Sequence, residues 1–159
     1  MQKRWCLVMA SINEEMKTLV SQERLGFLAT TCSDGSPNLS PKGLTFILDD
    51  QHLIIGEIRS PASVANLRER PIAEVNVVNP VLRKGFRFKG PCVVHDEGPE
   101  FEHLSSFLRE QGARSTIRSI IVMRVEKAAP IISPVYDTGA TEAEVRQQWL
   151  DRINRANKK

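Results

Sequence analysis

Apolar positions recur along this chain with two periods. Behind Ser11-Ile12-Asn13-Glu14, which reads as a capping box, Met16, Leu19 and Val20 fall on one helical side, and the pattern predicts a helix over about 12–21. The pattern then turns extended. LGFLATTC (25–32), NLSPKGLTFIL (38–48) and HLIIGEI (52–58) predict three strands, separated by an Asp34-Gly35 turn and by Asp49-Asp50-Gln51. Pro41 predicts an edge, a bulge or a break within the second of them. Tight turns between three strands predict an antiparallel meander.

SPASVANLRERP (60–71) returns to helical spacing. Ser60 is a suitable N-cap, Pro61 suits the first helical position, Pro71 stops the helix, and Val64 and Leu67 face inward. IAEVNVV (72–78) alternates with period two, and RKGFRFKGPCVVHDEG beyond Asn79-Pro80 predicts a long strand. A helix is expected over 99–111, with Phe101, Leu104, Phe107 and Leu108 at helical spacing, and a strand over the β-branched stretch 116–132. Thr141 and Glu144 cap a final helix, about 141–156, carrying Val145, Trp149, Leu150 and Ile153. The elements predict a mainly β fold with flanking helices: six antiparallel strands closing into a barrel. No repeat or linker divides the chain, so residues 1–159 are expected to form one domain.

Composition narrows the class. With 41% hydrophobic and 26% charged residues the chain reads as globular. The run WCLVMA near the N-terminus is too short for a secretory signal and acidic residues follow it, so a cytoplasmic protein is expected. Cys6, Cys32 and Cys92 are odd in number and form no CxxC pair, and each reads as a small buried hydrophobe. His52, His95 and His103 lack metal-pair spacing, and no metal site is expected. GxGxxG, Walker A, HExxH and GxSxG are all absent, so any redox chemistry belongs to a cofactor.

The net charge is only +3, but between Arg59 and Lys89 seven basic residues face two acidic ones, Glu69 and Glu74, which favours an anionic partner there. The most basic stretch, RKGFRFKG (83–90), has three readings. As an RNA-recognition strand it starts well at Lys84-Gly85-Phe86-Arg87-Phe88, then departs at Arg87, Lys89 and Pro91. As a cofactor strand, it puts Phe86 and Phe88 on one face and leaves Arg87 and Lys89 on the other, at a groove. It can also be a half-buried strand with a solvated basic face. Upstream, Arg59-Ser60 at a helix start makes a phosphate site, unless Ser60 merely caps the helix and Arg59 is solvated.

Four motifs in order resemble one family over about residues 25–150: LGFLATTCSDGSPNLSPKG; Arg59, Ser60, Pro61, Ser63, Asn66 and Leu67 followed by Pro71; Arg83 to Gly90; and Pro134-Val-Tyr-Asp137 before an acidic capped helix. Together they resemble the FMN-binding split β-barrel family related to pyridoxamine 5′-phosphate oxidase, in its branch of flavin-nucleotide-binding proteins. The resemblance implies a six-stranded split barrel and a homodimer with FMN sites between subunits. It implies that Asn38, Ser40, Pro41, Lys42 and Gly43 meet the isoalloxazine ring, with Lys42 near N1/O2, although Lys42 also reads as a solvated strand lysine. It implies that Arg59, Ser60 and Ser63 hold the phosphate, and that Arg83, Lys84 and Gly85 reach the cofactor. The oxidase carries a glutamine near Gly85. Tyr136 and Trp149 either meet the partner's flavin or pack in the core. The oxidase's C-terminal arginine- and histidine-bearing substrate segment has no counterpart in RINRANKK. The resemblance therefore implies an FMN-dependent oxidoreductase acting on a small acceptor, not a pyridoxamine phosphate oxidase. The alternatives are a non-catalytic flavin-nucleotide-binding or storage module, and an RNA-binding protein using strand 83–90. Relatives on such barrels include flavin reductases, deazaflavin-dependent reductases and haem-degrading proteins, and fold alone does not choose among them.

Overall fold

The computed structural model describes residues 11–156. The chain runs α1 (Glu14–Glu23), β1 (Gly26–Thr31), β2 (Pro37–Lys42), β3 (Thr45–Ile47), β4 (His52–Glu57), α2 (Pro61–Glu69), β5 (Ile72–Asn79), β6 (Lys84–His95), α3 (Gly98–Glu110), β7 (Ser119–Arg124), β8 (Lys127–Ile132), a 3₁₀ turn (Pro134–Thr138) and α4 (Glu142–Ala156). All pairings are antiparallel, in the order β2-β1-β5-β6-β7-β4-β3, with β8 also on β6.

The six expected extended segments are present, and two of them are broken. The segment 38–48 breaks at Gly43-Leu44, not at Pro41. Pro41 lies inside β2, an edge strand, where a missing N–H disturbs no inner ladder. β2 and β3 then lie on opposite edges of the sheet, so β1 to β4 form two hairpins and not the expected meander. The chain itself closes the barrel by stepping from one edge to the other. Thr45 N–H donates to Arg24 O across this seam (3.2 Å), and a Cβ on Gly26 would stand 2.8 Å from Thr45 Oγ1.

The segment 116–132 splits for a different reason. Cys92 pairs with Met123, whereas Lys89 pairs with Lys127, so one extra residue lies on the β7–β8 side. That is a β-bulge, and it bends the sheet where β6 passes from β8 to β7. The bulge presses Arg124 O onto Gly90, where a Cβ would lie only 1.8 Å away.

The barrel interior holds Leu28, Leu53, Ile55, Val75, Val77, Phe88, Ile121 and Met123, all fully buried. A second cluster sits under α3, where Leu104 and Leu108 cover Ile54 and Ile120. Ile54 alternates with Leu53 and Ile55, so β4 is buried on both faces and reads as a continuous apolar run. Met16 and Val20 dock α1 onto the barrel. Asn13, not Ser11, caps α1: its Oδ1 accepts Met16 N–H (2.9 Å), and Glu14 and Glu15 occupy the first turn, where the helix dipole favours acids. The Thr141–Glu144 capping box of α4 forms as expected. Among the described residues, no helix is long and apolar enough to cross a membrane.

Candidate functional site

β2 alternates. Leu39 and Pro41 face outward and are exposed, while Asn38, Ser40 and Lys42 face the other way. Across the ladder, Lys42 stands opposite Gly26, then Val77, then Phe86, which is the row lining the barrel interior. The start of α2 covers this polar row. Asn38 Nδ2 donates to Thr30 Oγ1 (3.0 Å) and to Ser63 Oγ (3.1 Å). Asn66 Nδ2 also donates to Thr30 Oγ1 (3.0 Å). Ser40 and Ser60 hydroxyls lie 3.0 Å apart.

Ser60 stands at the N-cap of α2, but its side chain does not cap the helix. It is turned toward Ser40. Its backbone N–H instead donates to the carboxylate of Glu57, a residue 3% exposed at the end of β4. Arg59, between them, is exposed. A helix start and two hydroxyls therefore come together next to the exposed Arg59, with the Glu57 carboxylate on the first N–H.

Lys42 is the anomaly. It is 4% exposed, and its Nζ has no hydrogen-bond partner among the described residues. Burial pushes its ammonium below the usual lysine range, and the nearby charge of Glu57 opposes that shift. A buried ammonium without a partner is costly, so its persistence points to a ligand acceptor that the chain itself does not supply. The electron-rich edge of a flavin ring, or another anionic oxygen, fits that requirement.

The family model for pyridoxamine 5′-phosphate oxidase matches residues 12–131. The chain belongs to this family of FMN-binding split barrels. No match was found among curated proteins. Among solved structures, a tagged HupZ of Group A Streptococcus shares 26% identity at a TM-score of 0.68, covering 77% of this chain and 95% of that one. An FMN-binding protein from Syntrophomonas wolfei subsp. wolfei shares 16% identity at a TM-score of 0.63 (76% and 86% covered). An F420 reductase shares 17% identity at a TM-score of 0.58 (74% and 98% covered). The last two likenesses speak for the fold alone.

Within one split-barrel chain, the expected site residues separate into two groups. Asn38, Ser40, Lys42, Ser60 and Ser63 come together, with Arg59 beside them and Gly43 exposed next to Lys42, whereas Pro41 points to the outer face. Arg83, Lys84 and Gly85 lie three strands away at the start of β6. Lys84 is engaged by Glu142 (2.7 Å) and lies over the Tyr136 ring (4.4 Å). A Cβ on Gly85 would meet Val77 O at 2.3 Å, so close strand packing accounts for that glycine. Tyr136 donates to Leu82 O (2.7 Å) and packs there, while Trp149 is half-buried on α4.

RKGFRFKG also resolves. Phe86 and Phe88 are buried, so neither ring is presented for base stacking, and Arg87 pairs outward with Glu74 (2.9 Å). Cys92 is buried, which pushes its thiol up to about 12, and Cys32 is half-buried beside Asn66; Cys6 lies outside the described residues.

Sequence reasoning missed Thr30, Glu57 and Asn66 as site residues. Asn66 was visible as part of the helix motif. Glu57 had a weaker signal, an acid closing the apolar run HLIIG directly before Arg59-Ser60.

Proposed function

We propose that this protein binds FMN in the Lys42–Ser40–Ser60 cluster and acts as an FMN-dependent oxidoreductase on a small acceptor, not as a pyridoxamine phosphate oxidase. The observation carrying this reading is the buried, unpartnered Lys42 ammonium beside a hydroxyl-lined helix start. Bound flavin supplies reversible hydride or electron transfer. The chain's own residues bind, orient and set charge. Lys42 offers positive charge to the electron-rich edge of the ring. Arg59, Ser60 and Ser63 hold the phosphate, and a bidentate arginine contact contributes about 1.5–3 kcal/mol. The Asn38–Thr30–Asn66 network fixes Ser63 and the α2 start, so that little reorganises on binding.

The protein is proposed to act as a homodimer. Arg83, Lys84 and Gly85 then reach the cofactor from the second subunit, which gives a role to residues that one chain keeps apart from Lys42. The free thiols of Cys32 and Cys92 and a cofactor-borne chemistry suit the cytoplasm.

The competing reading is a flavin-nucleotide store. Anaerobic mixing of the FMN-loaded protein with NADH or NADPH separates the two. The oxidoreductase reading predicts loss of the visible flavin band within the mixing experiment. An unchanged band with both donors contradicts it and favours the store.

A further inference from the structure

Glu57 closes β4, and strand alternation accounts for its burial. It lies on the side of β4 that carries Leu53 and Ile55 into the barrel interior, and in register it stands opposite Ser119, the first residue of β7. Both are buried, Glu57 at 3% and Ser119 at 7% exposure. The apolar lining of these two strands therefore ends in a carboxylate facing a hydroxyl-bearing residue.

A buried carboxylate needs a cation or hydrogen-bond donors. Lys42 is close enough for its charge to be felt at Glu57, and Arg59 is two residues along the chain, yet Glu57 forms no ion pair with either among the described residues. Its carboxylate accepts the Ser60 N–H instead. Few other donors are offered there. Pro61 has no N–H, and the Ser63 N–H turns back to Ser60 O (3.1 Å). The helix start that would receive a phosphate thus already holds an anionic group, supplied by the chain itself. The groups around it stay open. The Ser60 hydroxyl does not cap α2 and lies 3.0 Å from Ser40 Oγ, Arg59 is exposed, and the buried Lys42 Nζ has no hydrogen-bond partner among the described residues.

We propose that Glu57 is a built-in competitor for the phosphate position: in the ligand-free protein its carboxylate holds the Ser60 N–H, and a bound phosphate takes that donor and turns the carboxylate toward the Ser119 hydroxyl across the ladder. Two anionic oxygens do not share one N–H at contact distance, so part of the phosphate's binding free energy goes into displacing Glu57. Glu57 thereby lowers the affinity for ligands that carry a phosphate, leaves that for ligands without one unchanged, and keeps a bound nucleotide exchangeable. The proposal rests on the phosphate assignment at the α2 start, and inorganic phosphate tests it without a flavin.

The test is NMR titration of the full chain with inorganic phosphate, following the Ser60 amide and the Glu57 side-chain carboxyl carbon in wild type, and the Ser60 amide in Glu57→Gln. The substitution is isosteric and keeps an oxygen acceptor for the Ser60 N–H. In wild type both signals are expected to move together and saturate. In Glu57→Gln phosphate is expected to bind at least fivefold tighter, FMN is expected to gain by a similar factor, and riboflavin is not. A Glu57 carbon that stays put while Ser60 saturates, phosphate binding unchanged or weakened in the variant, equal gains for FMN and riboflavin, or no phosphate binding at Ser60 in either protein would each overturn the proposal. The two wild-type signals decide it even where the variant does not fold. Tighter phosphate in the variant, with no flavin bound by either protein, would uphold the competitor and remove the flavin reading.

Discussion

Lys42→Met stabilises the ligand-free protein by about 1–3 kcal/mol and weakens flavin binding at least tenfold, about 1.4 kcal/mol. The two effects have opposite signs for one reason. Without ligand, the Lys42 ammonium is buried with no hydrogen-bond partner among the described residues, and the charge of nearby Glu57 offsets only part of its desolvation, so methionine removes that cost and keeps the packing of the side-chain stem. Glu57 is not stranded by the change, because it already accepts the Ser60 N–H. With ligand, the same ammonium gains its acceptor, and methionine removes that contact. FMN and riboflavin should lose equally, since the contact is to the ring.

A pH profile gives an independent check. The folded pKa of Lys42 lies below its unfolded value of about 10.5. Between those two values the unfolded chain binds more protons, so the Lys42 contribution to stability is unfavourable below the folded pKa and is relieved as the pH rises toward 10.5. Lys17 and Lys84 shift upward and act in the opposite sense. The difference between wild type and Lys42→Met isolates Lys42: the variant's advantage in denaturant melts shrinks as pH rises through this window. An advantage that stays constant with pH, or a destabilised variant, contradicts a buried unpaired ammonium.

Gly90→Ala has the largest effect expected on the fold. A Cβ at Gly90 would fall 1.8 Å from Arg124 O and 3.1 Å from Glu126 N, both backbone atoms of the bulge. Neither can rotate away. Relief requires parting β6 from β7 and β8 at the bend that shapes the barrel, at a cost of at least about 4 kcal/mol and a fall in Tm on the order of 10 °C or more. Gly43→Ala is the control. Nothing lies within 4 Å of its Cβ position, so its stability should stay within about 0.5 kcal/mol of wild type. Matching melts for the two variants would remove the bulge contact from the account.

The same bulge shows where sequence reading stops. The stretch TIRSIIVMRVEKAAPII is β-branched from end to end, and nothing in it marks the extra residue. The bulge exists because β6 pairs with both halves of the segment while bending at Gly90, and that is a property of the partner strand. The break at Gly43-Leu44 is tertiary in the same way: barrel closure needs the chain to cross from one sheet edge to the other. Elements whose determinants are local were legible. The Thr141–Glu144 box, Pro61 at the start of α2, and the alternation burying Phe86 and Phe88 are all present in the fold.

The site was half legible. The family motifs named Asn38, Ser40, Lys42, Ser60 and Ser63, which the fold brings together. Burial of Lys42 was not readable, because Asn38, Ser40 and Lys42 alternate as polar residues and that pattern normally marks a solvent face. Only the packing of α2 and the interior row around Gly26 turns it inward. Arg83 was assigned to the cofactor by motif, whereas within one chain it lines a groove beneath α4.

In the proposed complex the flavin is held by its phosphate at the α2 start and by its ring at Lys42. Titration of the ligand-free protein with FMN and with riboflavin, followed by flavin fluorescence, tests it most directly in wild type and in Arg59→Ala. A phosphate-anchored flavin predicts saturable quenching by wild type with FMN much tighter than riboflavin, and a loss of about tenfold or more for FMN alone in Arg59→Ala. Equal affinities for the two flavins in wild type, or equal losses for both in the variant, would contradict a phosphate anchor at Arg59 and Ser60.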